Sequence, residues 1–306
     1  MGLRGGILFE FKSEQKIFDI GGVKVGGIPG RNPTVLVGTI FYKRQRLIQD
    51  EEKGIFDEEK AEGLVRLQEE LSDRTGIPSM LDIEGATTEA MERYLEFTLD
   101  NTDLPLMLGG TTVNVRSASI SMIKEAGVEE RVIYNSLMPG CTESEIDMIG
   151  EAGVESAVLL AYNISDLTAQ GRLQTLKELL DSIKGHGIEK PLLDTFVMDV
   201  PSLGAAFQAF REAKSELGLP VGCGPHNAIG MWKGLQNKLE LKSKRSVVAS
   251  VNAFAAAAGA DWILYGPIEA AKTVFPAVAM VDAAYAFPAI QKGLKVDRDH
   301  PLFKIA

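Results

Sequence analysis

From Thr34 onward one pattern repeats along the chain: a short run of apolar and β-branched residues, then a longer amphipathic stretch. The runs fall at 34–41, 79–84, 104–109, 131–136, 155–161, 190–195, 219–224 and 261–266. Their nearly continuous apolar character predicts strands buried on both faces, as in a parallel sheet. Every gap between them is long enough for a helix. Within 57–72, Ala61, Leu64, Val65, Gln68 and Leu71 share one stripe, and within 202–217, Leu203, Ala206, Phe207, Phe210, Ala213 and Leu217 do the same. Asp57, Thr88, Thr142 and Ser202 are the expected N-caps, and Thr142 with Glu145 resembles a capping box. Gly76, Gly127, Gly153 and Gly187 stand where helices should end.

Eight strand–helix units in a row predict an α/β fold closed into a single (β/α)8 TIM barrel. An open doubly wound sheet would want a glycine-rich turn after its first strand, but FYKRQRLIQDEEKG follows instead. Residues 1–33 form an N-terminal extension with the glycine-rich segment IFDIGGVKVGGIPG, expected to be a β-hairpin capping the barrel bottom. The expected domain is therefore 34–306, with 1–33 as its cap.

Composition narrows the function. The chain has 306 residues, 45% hydrophobic and 24% charged, with a formal net charge of −10. That acidity argues against a nucleic-acid binder, which needs a basic surface. No run approaches the roughly 18 apolar residues of a membrane span, so none is expected. The N-terminus MGLRGGILFEFKSEQ does not read as a secretory signal, and the two cysteines, Cys141 and Cys223, suit a reducing compartment. A cytoplasmic location is expected.

In a TIM barrel, polar residues at the C-terminal strand ends are the candidates for chemistry. Here these are Asp82 and Glu84 on the second strand, Asn135 and Ser136 on the fourth, Asn163 after the fifth, Asp194 and Asp199 on and after the sixth, and Cys223, His226 and Asn227 at the seventh. No lysine lies inside a strand, which argues against a Schiff-base enzyme. Cys223 and His226 alone do not make a zinc site, so no metal is expected. Carboxylates and carboxamides without a metal suit a ligand with a donor–acceptor edge. A pterin is one: its 2-amino and N3–H groups donate to a carboxylate, and asparagine can answer its O4 and N8–H.

The stretches FKSEQKIFDIGGVKVGGIPGRNPTVLVGTIFY, EELSDRTGIPSMLDIEG, VIYNSL, EKPLLDTFVMDVPS and LPVGCGPHNA resemble the H subunit of the archaeal tetrahydromethanopterin S-methyltransferase complex and its soluble bacterial relatives. The resemblance covers essentially the whole barrel. More distantly the chain is similar to corrinoid methyltransferases using methyltetrahydrofolate and to dihydropteroate synthases. The resemblance implies transfer of a methyl group between the cobalt of a corrinoid and N5 of a pterin. It implies Asn135 and Asp194 on the pterin ring, Asn227 near N5 and Asp82 at the same mouth. Asn227 and Asp82 are thus the catalytic candidates; Asn135, Asp194, Asn163 and Asp199 are the pterin-binding ones. The pattern departs at the end of the third strand, where Leu108-Gly109-Gly110-Thr111 replaces the family's usual Asp-Ser-Thr. The chain lacks an Asp-x-His-x-x-Gly cobalt-ligand motif, so cobalamin is expected on a separate corrinoid carrier protein, with tetrahydrofolate as methyl acceptor and a homodimer as the assembly. The alternatives are a tetrahydromethanopterin-using subunit of a membrane complex and a dihydropteroate synthase-like condensing enzyme.

Overall fold

The computed structural model describes residues 10–110, 112–238 and 243–306; the first nine residues of the extension and Thr111 lie outside the described residues. The extension forms an antiparallel hairpin, β1 (Ile17–Ile20) and β2 (Val23–Gly26). The barrel strands are β3 (Val35–Ile40), β6 (Ser79–Gly85), β7 (Leu106–Gly110), β8 (Val132–Leu137), β9 (Ser156–Leu160), β10 (Lys190–Asp194), β11 (Val221–Cys223) and β12 (Trp262–Pro267). They pair parallel in chain order and close through β12 against β3. Between β3 and the first helix lies a small hairpin, β4 (Ile48–Asp50) with β5 (Ile55–Phe56), which the apolar pattern does not predict. The strands match the apolar runs to within about two residues, the ordinary uncertainty of an element's end.

Helices fill the gaps: α1 (Glu58–Thr75), α2 (Thr88–Asn101), α3 (Val113–Ala126), α4 (Glu143–Glu151), α5 (Ala169–Ser182), α6 (Ser202–Leu217), short α7 (His226–Gly230) and α8 (Lys233–Lys238), α9 (Ser243–Ala257), α10 (Ala271–Gln291) and terminal α11 (Pro301–Lys304). Asp57 and Thr142 cap their helices as expected, but the cap of α2 is Thr87, not Thr88; the Thr87 hydroxyl accepts from Ala90 N. Ser202 is the first residue of α6 rather than its cap; its backbone N–H is held by Asp199 Oδ1 at 3.0 Å. Gly76 and Gly127 end helices in the left-handed conformation. Gly153 comes one residue past the Ala152 cap of α4, and Gly187 lies beyond the end of α5 at Ser182.

Gln68, the one polar residue in the α1 stripe, has a specific task. Its amide donates to the Met80 carbonyl at 3.0 Å and its oxygen accepts from the Tyr265 hydroxyl. It fits only because β3 carries Gly38 there: a Cβ at that position would collide with both Gln68 and Tyr265.

The barrel interior is plugged by Val35, Val37, Met80, Met107, Ile133, Val158, Leu192 and Trp262, closed below by Ile20 and Val25 of the hairpin. Each fully buried side chain of this kind contributes about 1.5–3 kcal/mol. Gly21 packs against Arg131 and Pro105, and Gly26 against Pro220, residues that precede β8, β7 and β11. The hairpin thus sits on the N-terminal end, leaving the C-terminal end as the mouth.

One expectation changes. The helix spanning Ile268–Gln291 is long and apolar enough to cross a membrane by length and composition alone. In this fold it is the last barrel helix: α10 packs on α9 and α1, and its Asp282 accepts hydrogen bonds from Thr34. Its apolar character escapes a simple run count because Asp282 interrupts it.

Candidate active site

Alternation along a strand carries the inward-facing set one layer above the apolar plug. That layer contains Thr39 of β3, Asp82 of β6, Gly109 of β7, Asn135 of β8 and Asp194 of β10. The register pairs Thr39 with Asp82. Asn135 Nδ2 donates to Asp82 Oδ1 at 3.0 Å, and Thr39 also hydrogen-bonds that carboxylate. Asp82 and Asn135 are therefore brought together, and Asp194 shares their end of the barrel.

Asp194 is 8% exposed. One of its oxygens, Oδ1, accepts from Phe196 N at 2.7 Å. Phe196 takes a left-handed conformation, with φ 57°, at the turn out of β10. Such a φ is uncommon for a bulky residue and costs free energy that surrounding contacts must offset. Among the described residues, no other hydrogen bond reaches the Asp194 carboxyl. Burial pushes its pKa up to about 7, against the opposing effects of the Phe196 N–H and Arg172. Arg172 of α5 lies behind it, fully buried, with Nε donating to the Thr195 carbonyl at 2.7 Å. Tyr162 and Phe196 meet edge-on at 4.9 Å beside this carboxyl.

A cavity of about 310 Å3 opens next to Asp82, walled by Phe41, Tyr42, Glu84, His226 and Leu264 and by Ile48 of the β4–β5 hairpin. Burial pushes Asp82 up to about 6, opposed by its bonds from Asn135 and Thr39. Burial, and then the charge of Asp82, push Glu84 up to about 8, with Arg116 pulling the other way. A second cavity of about 520 Å3 shares His226 and extends over Ile229, Leu235 and Tyr265 to Lys244 and Arg245. His226 Nδ1 lies 2.9 Å from the Leu264 carbonyl, and burial lowers its pKa. That contact leaves Nε2 as the imidazole's remaining polar atom.

Asn227 follows β11 on α7, exposed, its amide donating to the Val197 carbonyl at 3.2 Å. Asn163 and Asp199 are placed differently. Asn163 spends its oxygen on Ser165 N and its amide on Thr175, and Asp199 holds the start of α6. Their hydrogen bonds are those of loop and helix-start residues; of the six predicted site residues only Asp82 lines the 310 Å3 cavity, and Asn135, Asp194, Asn227, Asn163 and Asp199 stand outside its lining. Lys43, three residues past the end of β3, does line it, so the mouth carries one amine that inspection of strands alone misses. Cys223 is a buried free thiol, and among the described residues no cluster of three or more His, Cys, Asp or Glu could hold a metal ion.

Residues 13–297 match the family described as the tetrahydromethanopterin S-methyltransferase MtrH subunit. The chain belongs to this family. It is 42% identical over 291 residues to the H subunit of the tetrahydromethanopterin S-methyltransferase of Methanopyrus kandleri, covering 88% of this chain and 90% of that one. The H subunit of the Methanothermobacter marburgensis enzyme is 38% identical over 309 residues, covering 97% of this chain and all of the other. Among solved structures, dihydropteroate synthase from Xanthomonas albilineans with 7,8-dihydropteroate superposes with a TM-score of 0.59 at 18% identity, over 89% of this chain and 99% of that one. At that identity the likeness speaks for the fold. The MtrH-family membership makes the chain a methyltransferase, on a TIM barrel.

Proposed function

We propose that this MtrH-family chain moves a methyl group from a methylated corrinoid, carried by a separate cytoplasmic protein, to N5 of tetrahydrofolate held at the barrel mouth. The observation that carries the reading is the buried Asp194 carboxyl, with only Oδ1 bonded among the described residues, at the same barrel end as the linked Asp82–Asn135 pair. An ionised Asp194 can accept from a pterin's 2-amino and N3–H groups, a charge-assisted two-point contact. Asn227 would stand near N5. The N5 lone pair attacks the methyl carbon, the carbon–cobalt bond breaks with its electrons left on cobalt, and N5 releases its proton. Alignment of two large reactants supplies most of the acceleration.

The names of the relatives favour a second pterin, tetrahydromethanopterin, within a larger complex. The two pterins share the ring edge that Asp194 would read. Titration calorimetry with each, followed by methyl transfer measured as loss of methylcobalt absorbance, separates them. Binding of tetrahydrofolate with transfer to it supports the reading; binding of tetrahydromethanopterin alone replaces it, and binding of neither refutes both. A condensing enzyme related to dihydropteroate synthase gains one observation, the rim amine of Lys43; product formation from a pterin pyrophosphate and p-aminobenzoate would reveal it. A homodimer would cover the apolar outer face where Met280 (61% exposed), Phe287 (58%) and Phe254 (55%) stand, and gel filtration tests it.

A further inference from the structure

The third barrel strand ends at Gly109-Gly110, and the structure shows what occupies the space beside Gly109. A Cβ on Gly109 would come 2.5 Å from Glu84 Oε1 and 2.8 Å from its Cδ. Glu84, on the neighbouring strand and paired with Gly109 in register, therefore lays its carboxyl across the glycine. Any larger residue at 109 would push it aside. Glu84 faces the 310 Å3 cavity together with Asp82, two residues earlier on the same face of β6. Asp82 is tied down by Asn135 and Thr39, whereas Glu84 accepts no hydrogen bond from the protein among the described residues. Glu84 is only partly buried, so its carboxyl stays open to the cavity rather than being bound up within the fold. It is well suited to exchanging a proton with a ligand.

We infer that Glu84, beside Asp82 at this cavity, is the group that exchanges a proton with N5 of the reduced pterin. The inference rests on the proposed methyl transfer to a pterin. When the methyl carbon bonds to N5 and the carbon–cobalt bond breaks, the N5 proton passes to the Glu84 carboxylate. In the opposite direction, protonated Glu84 gives its proton to N5 as the methyl leaves for Co(I). Burial, and then the charge of Asp82, disfavour the ionised form of Glu84, so it keeps its proton through neutral pH. The other groups facing Glu84 do not disturb this. Arg116 of α3 favours the ionised form and Asp82 opposes it more strongly. Tyr42 and Tyr94 are held up at about 12 by burial, and burial lowers His226 so that it is neutral there. Lys43 and Glu51 at the rim carry opposite charges.

The test uses the intact chain, its Glu84→Gln and Gly109→Ala variants, tetrahydrofolate and its N5-methyl form, with free methylcobalamin or cob(I)alamin in excess. Glu84→Gln keeps the shape but cannot pass a proton. It should bind tetrahydrofolate within about threefold of wild type while transfer falls about 100-fold, the ordinary scale of acid–base help. In wild type, methylation of the pterin should rise with pH through about 8 and demethylation should fall there; Glu84→Gln should lose both limbs. Gly109→Ala should give the same change in a milder form, since it displaces the carboxyl without removing it. Infrared difference spectra of the unliganded proteins at pH 7 add a readout independent of activity: wild type minus Glu84→Gln should show one protonated carboxyl stretch, with those of Asp194 and Asp282 cancelling. Wild-type turnover and pH profile in Glu84→Gln, loss of affinity alone, or no difference in the carboxyl stretch would overturn the inference while leaving the methyl-transfer reading intact. A wild-type protein that neither binds a pterin nor transfers a methyl group would remove that reading, and this inference with it.

Discussion

Replacing Asp194 by asparagine should weaken pterin binding, strengthen the unliganded fold and flatten the dependence of binding on pH. Asp194 is pushed up to about 7 in the empty protein, yet its contact with two ring donors requires the ionised form. Apparent affinity then scales with the ionised fraction, roughly one-tenth at pH 6 and nine-tenths at pH 8. Wild-type affinity for tetrahydrofolate should rise about tenfold between those values, with nearly one proton released per pterin bound at pH 6. Asp194→Asn loses a charge-assisted contact of about 1.5–3 kcal/mol, or about 10- to 100-fold in affinity at pH 8, and should release no proton. The stability effect has the opposite sign. Between the unfolded value near 4 and the folded value near 7, the unfolded chain has shed this proton while the native protein keeps it. Stability therefore falls as pH rises across that window, by about 4 kcal/mol at most for three units. Asn at 194 removes that loss, so the variant should melt higher than wild type at pH 8. Calorimetric titration in two buffers of different ionisation heat measures affinity and proton release together, and thermal melts measure the rest. Equal affinity and an unchanged pH slope in the variant would remove Asp194 from the binding site.

Other expectations follow from single contacts. Arg172→Gln removes the cation that favours ionised Asp194, so the midpoint of the pH-dependent binding should move up from about 7; an unmoved midpoint would show that Arg172 only braces the Thr195 carbonyl. Asn227→Ala should lower turnover more than pterin affinity, because its contact would strengthen only in the transition state; equal turnover in the two proteins would leave Asn227 as a loop brace on Val197. Lys214→Met at the barrel bottom should cost about 3–5 kcal/mol in urea unfolding, because it leaves the buried Asp261 charge without its partner; a loss under 1 kcal/mol would mean that Asp261 takes up a proton instead.

The barrel can be read from the chain because its strands are buried on both faces, which leaves short apolar runs recurring between longer amphipathic stretches. The same strand period puts Asp82, Asn135 and Asp194 at one mouth, since inward residues at strand ends need no knowledge of the loops. The loops are not legible in this way. The β4–β5 hairpin that walls the cavity comes from LIQDEEKGIF, where charged residues hide the pairing. Lys43 escapes notice for the same reason, lying just beyond a strand rather than in it. Asn163 and Asp199 show the opposite difficulty: a side chain that braces its own loop has the same sequence appearance as one that binds a ligand, and the sequence does not separate the two roles. Glu84 is visible at a strand end, but its meaning depends on Gly109 across the sheet, and pairing between strands is not written in either segment alone. The glycine at 109 leaves room for a carboxyl that comes from the preceding strand.

The two ends of the barrel show why some buried carboxyls point to function and others to structure. Asp261, at the bottom, receives the Lys214 amine at 2.5 and 2.7 Å and Val221 N at 2.9 Å. Asp282 receives both the backbone N–H and the hydroxyl of Thr34, at 2.8 and 3.1 Å. These carboxyls pin the hairpin end, the last helix and two strand starts together, and their acceptor capacity is largely met from within the fold. At the mouth Asp82 is met by Asn135 and Thr39, but among the described residues the buried Asp194 has one protein donor and the partly buried Glu84 has none. Burial is therefore not what separates the two ends, and neither is charge, since burial raises the pKa of carboxyls at both. What separates them is unmet acceptor capacity, which a folded chain retains at a cost in stability and which only a donor from outside can satisfy. A ligand rich in N–H groups on a flat edge supplies such donors in the number and direction that Asp194 leaves open. A reactive amine next to Glu84 supplies the remaining one.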